Sequence, residues 1–137
     1  MIILDTNVLS ALMQQVPDAR VVNWLDQQPR LSIWTNSVTV LEVRFGIEIM
    51  ATGKKRVHLA RAFETLLSKI DNRVAAFDEQ AARQAATLMA SRQQKGRPQE
   101  LRDTMIAGIV LAQHATLATR NTVHFQDLAV RVMNPWE

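Results

Sequence analysis

Ile2-Ile3-Leu4-Asp5-Thr6-Asn7-Val8-Leu9 is the stretch whose reading decides the fold. Three consecutive apolar residues, two of them β-branched, read as a short buried strand. The polar cluster Asp5-Thr6-Asn7 stops that run, and Val8, Leu9, Ala11, Leu12 and Met13 then return at helical spacing. Asp5 or Thr6 is the natural cap of the helix. Asp5 also stands at the carboxyl end of what should be a central strand, where open α/β sheets bind ligands. For a lone Asp the capping role is the plainer account.

Working outward, the same alternation recurs. A second helix fits Asp18 to Gln28 after Pro17, with Val21, Val22 and Leu25 on one side. Leu31 to Thr35 reads as a strand, and Ser37 as the N-cap of a helix running to about Ala51 and ended by Gly53. From Lys54 to Ile70 the apolar positions keep helical period, which predicts a hairpin with the preceding helix. Arg73 to Phe77 is a short strand candidate, and Asp78 caps a helix to about Gln94. Lys95-Gly96-Arg97-Pro98 is the clearest loop. Glu100 to His114 then reads as a helix, Thr116 to Thr119 as a strand, and Ala129 to Met133 as a last, alternating strand. Strand and helix alternate almost throughout, which predicts an α/β fold with a mainly parallel sheet flanked by helices. No repeat or boundary divides residues 1–137, so one domain is expected.

Composition agrees. The chain has 137 residues, 47% hydrophobic and 21% charged, with 4 Gly and 4 Pro, which excludes collagen-like and disordered classes. A chain of this size buries roughly 68% of its unfolded surface, enough for a core without staples. The longest apolar run, Ile106 to Ala112, is far short of the ~18 residues of a membrane span, and the N-terminus has no basic region ahead of its apolar start. With no Cys there is no disulfide, zinc ribbon or thiol nucleophile, which fits a cytoplasmic protein. The net charge of +3 conceals a partition: Gly53 to Arg97 holds 10 basic and 4 acidic residues, and the flanks hold 6 basic and 9 acidic. A basic middle attracts an anionic polymer, and an acidic remainder repels one unless a cation neutralises it.

Three further places carry chemistry. Glu42 shares a helical stripe with Val38, Phe45 and Ile49, so a carboxylate interrupts an apolar face; it calls for a partner such as Arg44 or Arg120, or for a metal. Asp103 lies in the first turn of a helix beside Ile106, Ala107 and Val110, where an acid is ordinarily a dipole partner. Thr119-Arg120-Asn121 follows a strand, and Asp127 lies a little beyond it. Acids at a strand end and near the starts of two helices suit one hard cation with oxygen ligands, Mg2+ or Mn2+. His58, His114 and His124 lack ligand spacing and are expected at the surface or in packing.

These segments resemble the PIN-domain ribonucleases, in particular the VapC-like toxins of toxin–antitoxin modules, including the FitB-like branch. The matching runs, in family order, are Ile2 to Leu9, Ser37 to Gly46, Asp103 to Ala107, Leu117 to Asn121 and Asn134-Pro135-Trp136. The resemblance implies a PIN-like fold and a metal-dependent endoribonuclease. Asp5, Glu42 and Asp103 fall on the family's acidic positions and would hold Mg2+ or Mn2+, Glu42 directly or through water. Thr6 and Thr119 fall on the adjoining hydroxyl positions. Many relatives have a fourth acid where this chain has Asn121, which leaves open a second metal, a compensating Asp127, and a degenerate PIN module that binds RNA or a protein without cutting. The resemblance further implies a homodimer and a VapB-like antitoxin, and an RNA such as a tRNA as substrate. Val43, Ile47 and Met50 offer apolar positions for such contacts or for the core. Lys54 and Arg61, with His58, form one basic stripe for RNA phosphates; Lys95 and Arg97, just before the Asp103 helix, form another. An aspartyl-nucleophile phosphatase also begins with a strand ending in Asp, but needs a second Asp where this chain has Asn7.

Overall fold

Five short strands in the computed structural model, which describes residues 1–137, all run parallel. They are β1 (Ile2–Leu4), β2 (Ile33–Asn36), β3 (Val74–Ala75), β4 (Thr116–Ala118) and β5 (Val132–Met133), in the order β3-β2-β1-β4-β5. Parallel neighbours need crossovers, and helices supply them. α1 (Thr6–Leu12) and α2 (Ala19–Asp26) lead from β1 to β2. α3 (Ser37–Glu48) and α4 (Lys54–Lys69) lead to β3, and α5 (Glu79–Gln94) and α6 (Leu101–Ala112) to β4. Because β2 and β4 flank β1 on opposite sides, the strand order reverses there, and the residues that follow β1, β2 and β4 share one edge at a topological switch point.

Pleat geometry divides the interior in two. Ile3 and Leu117 pair in register and turn to one face, where α5 and α6 bring Ala81, Ile106, Ile109 and Val110. Leu4 and Ala118 pair next to them and turn to the other, against Val8, Leu9, Val21, Phe63 and Leu67. α5 and α6 pack closely because Gly108 has no side chain: a Cβ there would fall on the Ala81 carbonyl oxygen and 2.8 Å from the Ala85 Cβ.

Several expectations shift. Leu31 lies exposed in a 3-10 turn, Arg30–Ser32, so β2 starts at Ile33. Asn36 caps α3, its side chain accepting from the Thr39 N–H, while Ser37 enters the helix and accepts from the Phe77 N–H instead. The last strand shrinks to Val132–Met133, and a 3-10 turn, Thr122–Phe125, occupies a stretch with no helical period to announce it. On α3 the inward residues are Val38, Thr39, Val43 and Ile47, so Val43 and Ile47 are core positions. Phe45 and Ile49 are 57% and 67% exposed, forming with Leu41 an outward i, i+4, i+8 stripe; Glu42 therefore borders the core face but does not interrupt an inward Phe45–Ile49 row. The expected α3–α4 hairpin forms, with Arg44 bridging to Glu64 at 2.7 Å and lying 5.1 Å from the Phe63 ring centroid. No helix is long and apolar enough to cross a membrane.

Candidate active site

Asp5 leaves β1 at the switch point and is 3% exposed. A carboxylate so placed needs hydrogen bonds, and Asp5 has three. The Thr6 N–H donates to Oδ1 at 2.8 Å, the Thr119 hydroxyl to Oδ2 at 2.7 Å, and the Asn7 amide to Oδ2 at 3.3 Å. Thr119 accepts in turn from the Asn7 amide and from the Asn121 N–H, and the Asn7 carbonyl accepts from the Arg120 N–H. The strand-end triplets of β1 and β4 are thus laced together around one carboxylate.

Glu42, in the second turn of α3, is held by Thr6, whose hydroxyl donates to Oε1 at 2.8 Å. A hydroxyl has a single proton, so the 2.9 Å contact between Thr6 and Thr39 must be donated by Thr39, which itself accepts from the Asn36 amide at 3.0 Å. A one-way relay, Asn36 to Thr39 to Thr6 to Glu42, fixes the carboxylate from the far side. Its other oxygen lies 3.7 Å from the Arg102 guanidinium, which also hydrogen-bonds Glu100. The ion-pair partner is therefore Arg102: Arg44 is committed to Glu64, and Arg120 lies over the Trp136 ring, 4.9 Å from its centroid.

Asp103 stands in the first turn of α6, whose N-cap is Glu100, and its Oδ2 meets His124 Nδ1 at 3.2 Å. His124, expected at the surface or in packing, thus belongs to the site through the 3-10 turn. Asp103 and Glu42 both act on Asp5. Burial raises the Asp5 carboxyl most, the Thr119 and Thr6 hydrogen bonds oppose it, and the two neighbouring negative charges add to the rise.

Elsewhere the sequence-level expectations divide. Thr6 and Thr119 stand where expected, as braces of the two carboxylates. Asn121 reaches the cluster through its backbone N–H, its exposed side chain making no hydrogen bond there. Asp127 is not a free fourth acid. Arg92, 3% exposed, grips both its oxygens at 2.8 and 2.9 Å and holds it below the usual carboxylate range. Lys95 lies close enough to Asp127 to help lower its carboxyl, and Arg97 is exposed in the same loop. Lys54 and Arg61 line depressions on α4.

The donor set is all carboxylate and hydroxyl oxygen, with one imidazole beside it, which suits a hard divalent cation. No three Asp, Glu or His side chains are drawn together tightly enough to grip an ion as they stand. A cation between Asp5, Glu42 and Asp103 would nevertheless relieve the mutual repulsion that raises Asp5.

Comparison with known proteins agrees with this architecture. A PIN domain family model matches residues 2–130. The whole chain is 39% identical to the plasmid stability protein StbB of Pseudomonas syringae pv. tomato and 37% identical to VapC ribonuclease Y4jK of Sinorhizobium fredii, with 99% of each relative covered. The crystal structure of FitAcB from Neisseria gonorrhoeae superposes with a TM-score of 0.90 at 34% identity, covering all of this chain and 99% of that one. With a buried Asp after the central strand and two further acids from α3 and α6 facing it, the chain belongs to the PIN-domain family, in its VapC-like branch.

Proposed function

We propose that this protein is a divalent-metal-dependent endoribonuclease and the toxin of a toxin–antitoxin pair. The observation that carries the proposal is the convergence of Asp5, Glu42 and Asp103 on one sheet edge, where burial raises Asp5 and the charges of the other two add to the rise. Asp5 and Asp103 would hold Mg2+ or Mn2+, and Glu42 would do so directly or through water. When bound, the ion supplies Lewis-acid polarisation of the phosphate and stabilises the leaving oxygen.

The chain's own groups do the positioning. Thr119, Asn7 and the Thr6 N–H keep the Asp5 carboxylate in one orientation. The Thr39–Thr6 relay does the same for Glu42, and His124 for Asp103. Holding ligands by outer hydrogen bonds lowers the reorganisation needed when a cation or phosphate arrives. Asn121 brings no fourth charge, so the assignment rests on one ion. The relative from Neisseria gonorrhoeae is named toxin FitB and was solved in a FitAB assembly, which supports a VapB-like antitoxin as partner here; the homodimer rests on the family resemblance alone.

Purified protein incubated with RNA and Mg2+ or Mn2+ should yield fragments with 5′-phosphate and 3′-hydroxyl ends. Asp5→Asn should lower the rate by more than about 100-fold, the upper range seen for outer ligands alone. Equal cleavage by both proteins would remove the site, and no cleavage by either would leave a non-catalytic PIN module.

A further inference from the structure

The depression that opens beside the acids does not end there. Thr6 and Glu42 form one end of a hollow of about 240 Å³ whose floor is Met13, Gly46 and Ile47. Gln14 and Leu59 form its far wall, and both also line a second hollow of about 540 Å³ containing Lys54, Lys55 and His58. Two further depressions continue along α4 through His58 to Arg61 and Lys69. A continuous furrow thus runs from Glu42, at the edge of the acid cluster, along the α1–α3–α4 side of the molecule.

Its charges are free. Eight of the chain's arginines, including Arg44, Arg56 and Arg102, have a carboxylate within 4.0 Å, whereas Lys54, Lys55, Arg61 and Lys69 have none. Half of the eight unpaired cations therefore line this one furrow. His58 Nε2 is buried without a hydrogen-bond partner in the same wall.

We infer that single-stranded RNA enters or leaves the acid site along this furrow, with its phosphates on Lys54, Lys55 and Arg61. The inference rests on the ribonuclease reading above and adds the path of its substrate. Lys54 and Arg61 lie about 10 Å apart along α4, at 1.5 Å rise per residue, so they meet successive parts of one strand. No Phe or Trp lines the furrow. Without aromatic platforms, contact is with the backbone and tolerant of base sequence.

The test is the salt dependence of binding to a fluorescein-labelled single-stranded RNA of mixed sequence, followed by anisotropy in EDTA so that the RNA stays intact. Replacing Lys54, Lys55 and Arg61 together by Gln should reduce the slope of log K against log salt by about 2, at roughly 0.7 for each phosphate no longer neutralised. Each single change should reduce it by about 0.7, which covers a triple variant that fails to fold. Arg83→Gln, on α5 and already paired with Glu79, should leave the slope unchanged. An unaltered slope in the furrow variants overturns the inference. So does a variant that keeps its slope but no longer binds its antitoxin, since the furrow would then seat a peptide. Wild-type protein that shows the furrow-dependent slope yet cuts no RNA with Mn2+ contradicts the ribonuclease reading and leaves the furrow standing.

Discussion

At the level of single residues, burial and two neighbouring like charges act together on the Asp5 carboxyl. Burial raises Asp5 above the ordinary carboxylate range, and Asp103 and Glu42 raise it further. A group with a raised folded pKa contributes stability below its unfolded value, near 3.9, and loses that contribution as pH rises through the folded value. Ionised Asp5 therefore costs stability at neutral pH when no cation is bound. Metal-free Asp5→Asn should melt at a higher temperature than wild type at pH 7, and this difference should shrink on acidification as wild-type Asp5 takes up its proton. A lower melting temperature for the variant at pH 7 would mean that the hydrogen bonds from Thr119 and Thr6 outweigh burial. Asp5, Glu42 and Asp103 were legible in the sequence because each is an acid at a strand end or beside apolar helical positions. Arg102 and His124 were not, because their partners lie on other elements and nothing in local spacing links Arg102 to Glu42 or His124 to Asp103.

Among the elements, the 3-10 turn that carries His124 depends on one buried guanidinium. Arg92 reaches from the end of α5 to Thr104 on α6, to the His124 carbonyl and to Asp127, so it ties three segments that meet behind Asp103. Asp127→Ala leaves Arg92 with two of these partners. It should destabilise the fold by about 1–3 kcal/mol in urea unfolding, below the 3–5 kcal/mol of a fully buried pair because the Asp127 side chain is 40% exposed. Amide exchange should quicken from Phe125 to Leu128, whereas a loss confined to global stability would place the strut elsewhere. Long helices such as α4, which starts after Gly53, and α5, which Asp78 caps, were readable to within a residue. α3 was readable in its start to within a residue, but it ends at Glu48 rather than near Ala51, and its orientation was not readable, since apolar residues occupy both its core face and its Leu41–Phe45–Ile49 stripe. β5 is two residues long and owes its position to pairing with β4, a contact that its own alternation overstates.

Across the whole molecule, the partition of charge becomes a partition of space. Three of the nine acids of the flanks gather at the carboxyl edge of the sheet, while unpaired cations of the basic middle line a furrow that starts at one of them, Glu42. The order β3-β2-β1-β4-β5 makes this possible, because it places the ends of β1, β2 and β4 side by side from segments far apart in sequence. Alternation of strand and helix announced the parallel sheet, and the VapC-like motifs announced the three acids. The furrow was beyond reach, because it depends on α1 and α4 standing together across Gln14 and Leu59. The central claim is that Asp5, Glu42 and Asp103 form a divalent-cation site. Calorimetric titration of Mn2+ into wild type and Asp103→Ala tests it most directly: the account predicts saturable binding to wild type, lost or weakened by more than about 10-fold in the variant. Absence of binding to wild type, or equal binding to both, would contradict it.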